Sequence, residues 1–314
     1  MTAAAAGESS FLSTVPSLLT HSSRNKRPHE GLEFKTPNPR FLLTAFSSRV
    51  ASTSVWPPND PDRVFACASA GGSQNIYISS LGNQDRLSSP VLFKLGTDET
   101  TLWDSAISPT GDTAVISSSD MVHQFSMTGA LLSSLFSSEN SRSLAWLSPH
   151  TVAAGSMKRV LLWDTRSRGS TPRFSGSHTI TGVRNVPSSS GTQLLLSTNH
   201  GLSLHDTRMS TSNTSKPLLF FSHMHEGPQR VFDINKRDLV AFSSKKAAKD
   251  EVRILSLRTG RTVRTLRTSD YASSKRPTQL AWNEDERGAE FLQACVGPSV
   301  GRWCWTEAEG EGDA

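Results

Sequence analysis

The sequence predicts an all-β repeat fold, and three observations carry that prediction. Short apolar segments alternate with Gly, Ser and Asn turns, as where Ala114-Val-Ile-Ser-Ser-Ser runs into Met121-Val-His-Gln-Phe-Ser-Met and the turn Thr128-Gly129. The paired segments then recur: 151–156 before 159–166, 194–199 before 201–208, 239–244 before 251–257, and 291–297 before 300–305. Corresponding positions Ala114, Val152, Leu195, Val240 and Leu292 stand 38, 43, 45 and 52 residues apart. No stretch longer than a turn or two shows a 3.6-residue period, so α/β folds fit poorly. A repeat near 40–45 residues with three or four strands per unit marks a β-propeller. One four-stranded blade buries neither face alone, whereas radial stacking covers both and leaves only short edges.

Composition agrees. A chain of 314 residues holds two ordinary domains or one large closed all-β fold, and the repeat selects the second. No apolar run approaches the ~18 residues of a membrane span, so no membrane role is read. Charged residues make up 19%, beside ample Val, Leu, Ile and Phe, which argues against wholesale disorder. Three cysteines, Cys67, Cys295 and Cys304, cannot build a disulfide framework and suit a reducing compartment. The net charge of +5 permits a polyanion partner but bears on solubility rather than fold.

Residues 1–40 read as a flexible, Ser-rich leader that could also supply an outer strand. Ser13, Thr14, Pro16 and Ser17 break the stretch Phe11 to Leu19, so no secretory signal core forms. No Arg precedes Arg24, which counts against a mitochondrial presequence. The cluster Arg24-Asn25-Lys26-Arg27-Pro28 reads as a nuclear import signal or a solvated basic linker, placing the protein in the nucleus, the cytoplasm or both. Six blade units begin near Ser48, Thr101, Ser141, His178, His225 and Arg276. Inner strands at 101–108, 143–147 and 278–282 precede three of the pairs. A seventh blade is expected from residues 8–47, where Phe41 to Phe46 makes a good strand, or from the chain ends combined. The propeller is assigned to residues 41–306 and an acidic, Gly-rich, disordered tail to 307–314.

Trp163-Asp164-Thr165-Arg166 is a Trp-Asp strand ending with an Arg two places after the Asp, and His205-Asp206-Thr207-Arg208 repeats it 42 residues later with His for Trp. These endings resemble the WD repeats. Residues 151–166 are further similar to the longer box of WD-repeat substrate receptors of cullin-4 RING ubiquitin ligases. Val152, Ala153, Ala154, Val160, Leu161, Leu162, Trp163, Asp164 and Arg166 match that box. Ser156 stands where the box has its first Asp, and Thr151 where it has an apolar residue. A blade opening near His225-Glu226, the strand Arg264 to Leu266 and the loop Ser273 to Pro277 extend the resemblance over residues 50–306.

The resemblance implies a non-catalytic scaffold, monomeric within a larger complex, that docks the damaged-DNA-binding adaptor on one edge and a substrate elsewhere. Trp163, Asp164, His205 and Asp206 are then structural members of the WD motif. Arg166 and Arg208 become rim residues able to meet a carboxylate bidentately, or to pair with their own preceding Asp. A WD-repeat scaffold of another complex, nuclear or RNA-associated, remains the alternative.

No cofactor or catalytic signature appears. The sequence lacks a phosphate-binding Gly-x-x-x-x-Gly-Lys loop, a dinucleotide Gly-x-Gly-x-x-Gly turn and a Gly-x-Ser-x-Gly elbow. The cysteines are too separated for a Cys-x-x-Cys site, although Cys295 and Cys304 could approach, and His223 and His225 have no third ligand. Glu284-Asp285-Glu286 reads as a hydrophilic turn rather than a catalytic carboxylate pair. Arg258, Arg261, Arg264 and Arg267 form the sharpest basic run, joined by Lys245, Lys246 and Lys249. They could contact phosphates, but they straddle a strand end, a turn and a strand, so a solvated surface is the preferred reading over nucleic acid.

Overall fold

Alternating apolar and polar residues punctuated by turn formers favour extended backbone, and the computed structural model of the chain is built of short strands. It describes residues 49–56, 63–70, 75–81, 91–94, 101–137, 139–167, 169–175, 178–209, 216–222, 231–243, 251–267, 277–284, 288–296 and 299–304. Among these the only helical segment is a 3₁₀ turn at Pro187–Ser189.

Six antiparallel sheets follow one another along the chain. The first holds β1 (Arg49–Trp56), β2 (Arg63–Ala70), β3 (Asn75–Leu81) and β4 (Val91–Lys94). The second holds β5 (Asp104–Ile107), β6 (Thr113–Ser117), β7 (Met121–Ser126) and β8 (Leu131–Phe136). The third holds β9 (Ser143–Ser148), β10 (Thr151–Gly155), β11 (Arg159–Asp164) and β12 (Ser170–Ser175). In the fourth are β13 (Ile180–Asn185), β14 (Gln193–Thr198), β15 (Gly201–Asp206) and β16 (Leu219–Ser222). The fifth comprises β17 (Phe232–Ile234), β18 (Leu239–Ser243), β19 (Glu251–Ser256) and β20 (Thr262–Arg267). Three described strands make the sixth: β21 (Pro277–Glu284), β22 (Glu290–Val296) and β23 (Ser299–Cys304). The sheets open within a few residues of the expected unit starts, except that β17 begins well beyond His225. The expected seventh blade, the leader, the acidic tail, His223 and His225 and the lysines at 245, 246 and 249 all lie outside the described residues.

Each sheet is paired in chain order, and its first strand packs beside the first strand of a neighbouring sheet, as β5 does with β9 and β9 with β13. The core is therefore divided among the seams between blades. One seam joins Val115, Val122 and Leu135 to Trp146, Val152 and Trp163. The next sets Val160 and Phe174 against Ile180, Val183 and Leu194. A third packs Leu195, Leu202 and Leu204 with Phe232, Phe242 and Leu255. The fourth joins Val252, Ile254 and Leu266 to Leu280, Leu292 and Trp303. The next-to-last residue of the third strand is buried in every sheet from the second to the sixth: Phe125, Trp163, His205, Leu255 and Trp303. Alternation explains this, because period-two packing returns the same face of each third strand to a seam.

Polar links also cross the seams. Leu144 N–H donates to Asp104 Oδ2 at 2.9 Å, Val183 N–H to Ser143 Oγ at 3.0 Å, and Trp282 N–H to Asp233 Oδ2 at 2.8 Å. Two glycines leave no room for a side chain at the seams. A Cβ on Gly155 would lie 2.6 Å from Val183 Cγ2, and one on Gly182 would lie 2.5 Å from Phe232 Cε1.

The structure separates two cysteines that the sequence allowed to approach. Cys304 pairs across the β22–β23 hairpin with Phe291, whereas Cys295 pairs with Val300. Four residues of strand, roughly 13 Å at ~3.3 Å per residue, lie between their levels. Burial pushes the Cys295 thiol above its ordinary value. Glu284, expected in a turn, instead ends β21 and accepts from Lys236 Nζ of the neighbouring blade at 2.7 Å.

Candidate protein-interaction face

In an antiparallel blade the first–second and third–fourth connections leave from one edge of the sheet, and the second–third connection leaves from the other. The turns after β7, β11, β15 and β19 therefore open on the same face of the molecule. Their main chain is built alike. The first residue past the strand donates its N–H to the residue just before the second strand: Met127 to Asp112 O, Thr165 to His150 O, Thr207 to Thr192 O and Leu257 to Asp238 O. The residues that follow are Thr128, Arg166, Arg208 and Arg258.

Asp164 and Arg166 form a closed fork. Asp164 Oδ1 accepts from Arg166 Nε at 3.0 Å and from the Arg166 backbone N–H at 3.0 Å, and Oδ2 accepts from Nη2 at 2.7 Å. Asp206 and Arg208 repeat the arrangement at 3.0, 2.8 and 2.7 Å. A carboxylate two residues ahead of the guanidinium suits this geometry, because the turn lays both planar groups edge to edge. The Arg166 guanidinium and backbone amide together hold the Asp164 carboxyl down at about 2, and Arg208 lowers Asp206 in the same way. The guanidinium is thereby held in place while it stays presented, since the Arg166 and Arg208 side chains are 67% and 70% exposed. The fork uses Nε–H and one Nη2 hydrogen, leaving the Nη1 edge as a donor surface.

Trp163 and His205, which precede the two forks, are both buried. Trp163 is buried in the seam between the second and third blades, and its Nε1–H donates to Ser167 O at 3.2 Å, closing the turn from below. His205 is buried beside Ser203 Oγ at 3.0 Å, and burial pulls its imidazole down to about 4. Its neutral form therefore fills the Trp position.

The basic run Arg258, Arg261, Arg264 and Arg267 is divided by the fold. Arg258 joins the register of Arg166 and Arg208, and its Nε donates to Asp238 Oδ2 at 3.2 Å. Arg261 stands in the turn before β20, while Arg264 and Arg267 lie along β20, opposite Ile254 and Glu251. The run makes no single stripe. Arg258 was hidden in the sequence because Ser256 replaces the Asp of the fork, so the carboxylate comes instead from Asp238, twenty residues upstream. The Thr259-Gly260 turn in the place of the earlier ones is the signal that locates it. Nearby on this face, Lys236 reaches Glu284 and Arg237 reaches Glu290 of the sixth blade.

Among the described residues no group of three or more His, Cys, Asp or Glu side chains is arranged to hold a metal ion. No family model matches the chain, and no curated protein matches it. Solved structures match in number, 1018 chains in all, so the fold by itself does not choose a partner. One of them belongs to the "Crystal Structure of Mitotic Checkpoint Complex". It superimposes with a TM-score of 0.57 at 14% identity, over 92% of this chain and 98% of that one. With the Trp163-Asp164 ending and the six sheets, that likeness defines the fold as a WD-repeat β-propeller.

Proposed function

We propose that this propeller is a non-catalytic protein-interaction scaffold, and specifically a substrate receptor of a cullin-4 RING ubiquitin ligase. One observation carries the reading: neighbouring blades present Arg166 and Arg208 on one face in matching carboxylate forks. An arginine already ordered by its own Asp loses little side-chain freedom when a partner carboxylate or carbonyl meets its outer edge. Arg258 extends the row to a third blade. The sequence adds support through the box at 151–166, and within the receptor family its order of features most resembles the fourth numbered cullin-4-associated factor. In this role the adaptor docks on the arginine face, the ligase's other subunits transfer ubiquitin, and the protein works in the nucleus or cytoplasm as one copy within a larger assembly.

The test is co-purification of the damaged-DNA-binding adaptor with the wild-type chain and with Arg166→Ala/Arg208→Ala. The wild type is expected to recover the adaptor and the double variant to lose it while keeping its unfolding midpoint. Equal recovery by both proteins removes the arginines from the interface. No recovery by either makes the chain a scaffold of a different complex.

A further inference from the structure

The outer strand of a blade is a sheet edge, and its unpaired N–H and C=O groups can accept another strand. Charge and proline on an edge discourage this, and most of the described outer strands have one or the other. β4 ends in Lys94, β12 holds Pro172 and Arg173, β20 holds Arg264 and Arg267, and Lys216-Pro217 stands just before β16. β8 is the exception. Its sequence Leu131-Leu-Ser-Ser-Leu-Phe contains neither, and none lies within two residues of its ends. Among the described residues it pairs only with β7, so its other side is an open edge. The surface there is apolar, with Leu131, Leu132 and Phe136 58%, 52% and 67% exposed.

The main chain shows which groups of that edge are free. Ser137 N–H donates to Asp120 O at 2.7 Å, toward β7. By alternation Ser133 and Leu135 also turn toward β7, whereas Leu132, Ser134 and Phe136 turn their N–H and C=O outward. The bulge in β8 lies at its Leu131–Leu132 end and leaves the centre regular. The side chains of Leu132, Ser134 and Phe136 share one exposed face, while Leu135 is buried in the seam with the third blade. Along that face the order is apolar, polar, apolar, which reads alike in both directions. An antiparallel copy centred on Ser134 therefore sets Leu132 of each chain against Phe136 of the other, and serine against serine. In that register all three outward-turned residues fall in hydrogen-bonded pairs, and no charge opposes another. We infer that β8 pairs with β8 of a second copy of this chain, across a two-fold axis at Ser134. Such a contact is isologous and closes on itself, giving a dimer rather than a fibre. The inference goes beyond the proposed function and does not rest on the adaptor. Where that reading counts one copy in the assembly, this edge brings a second.

Light scattering of the full chain over a concentration series tests it, together with Ser134→Lys and Ser134→Asp. Ser134 is exposed, so neither charge enters the core. An edge this short buries less than a standard interface, so the wild type is expected to dimerise at about 10–100 µM. Each variant sets two like charges face to face at the axis and should self-associate about tenfold or more weakly. An equimolar mixture of the two variants should dimerise again, because lysine then meets aspartate. A wild type that stays monomeric up to ~1 mM overturns the inference and leaves the edge to a strand of another protein. Charged variants that dimerise like the wild type overturn it too, as does a mixture no more dimeric than its components.

Discussion

The imidazole of His205 packs against the ring of Phe174, on the outer strand of the preceding blade, with centroids 4.8 Å apart. Its Nε2 meets Ser203 Oγ, but its Nδ1 is buried without a partner, so the site accommodates only the neutral ring. Burial lowers the folded-state value from 6.5 to about 4. The unfolded chain then binds more protons than the folded one between these values, and stability rises with pH across that window. As pH falls from ~6.5 to ~4, this residue alone withdraws about 3 kcal/mol. His205→Phe should flatten that part of the curve. Urea unfolding at a series of pH values checks it, and parallel curves for the two proteins would remove His205 as the cause.

Asp104 is buried, and its two carboxylate oxygens accept from Ser105 N–H and Leu144 N–H. Asp104→Ala leaves an amide of the next blade without its acceptor and should cost about 2–3 kcal/mol. Asp104→Asn keeps an acceptor and should cost less. Denaturant midpoints for the two variants order them, and equal costs would mean that the seam does not depend on the carboxylate.

Gly155 and Gly182 each face the next blade with no room for a Cβ. Either change to Ala forces a methyl into a packed seam and should destabilise by about 1–3 kcal/mol. Gly155→Ala should be partly rescued by Val183→Ala, because Val183 Cγ2 is the nearer of two obstacles, the other being Ile180 Cγ2 at 2.8 Å. Double-mutant thermal unfolding measures that coupling; strict additivity would place the strain elsewhere.

If the forks hold Arg166 and Arg208 ready for a partner, removing the carboxylates should weaken capture even though both arginines remain. Asp164→Asn/Asp206→Asn is expected to recover less adaptor than the wild type. The Asp164 carboxyl sits at about 2, below its ordinary 3.8, so the fork it supports is fully present above ~4 and dissolves only as pH falls through ~2. Recovery by the wild type should accordingly show no titration from this pair between pH 5 and 8. Full recovery by the double variant would mean that the arginines need no preordering.

The blade pattern could be read from the sequence because strand alternation and turn residues are local signals. Trp163, Asp164, His205 and Asp206 stood out through their resemblance to WD-repeat endings, and Thr128-Gly129 and Thr259-Gly260 marked turns that the structure contains. What could not be read were relationships carried by pairing register. Arg258 looked like one member of a basic run, since its carboxylate lies across a hairpin rather than two residues away. The separation of Cys295 from Cys304 depends on which residues face each other in β22 and β23.

The seam bonds of Asp104, Ser143 and Asp233 share a direction. In each, the earlier blade supplies a side chain and the later blade only its peptide N–H, which every residue except proline possesses. Each such bond places the successor through its backbone alone, while the apolar seam packing is what selects the successor's side chains. Duplicated or exchanged units could thus join the series at these bonds without matching mutations on both sides, while the loops between them diverge freely.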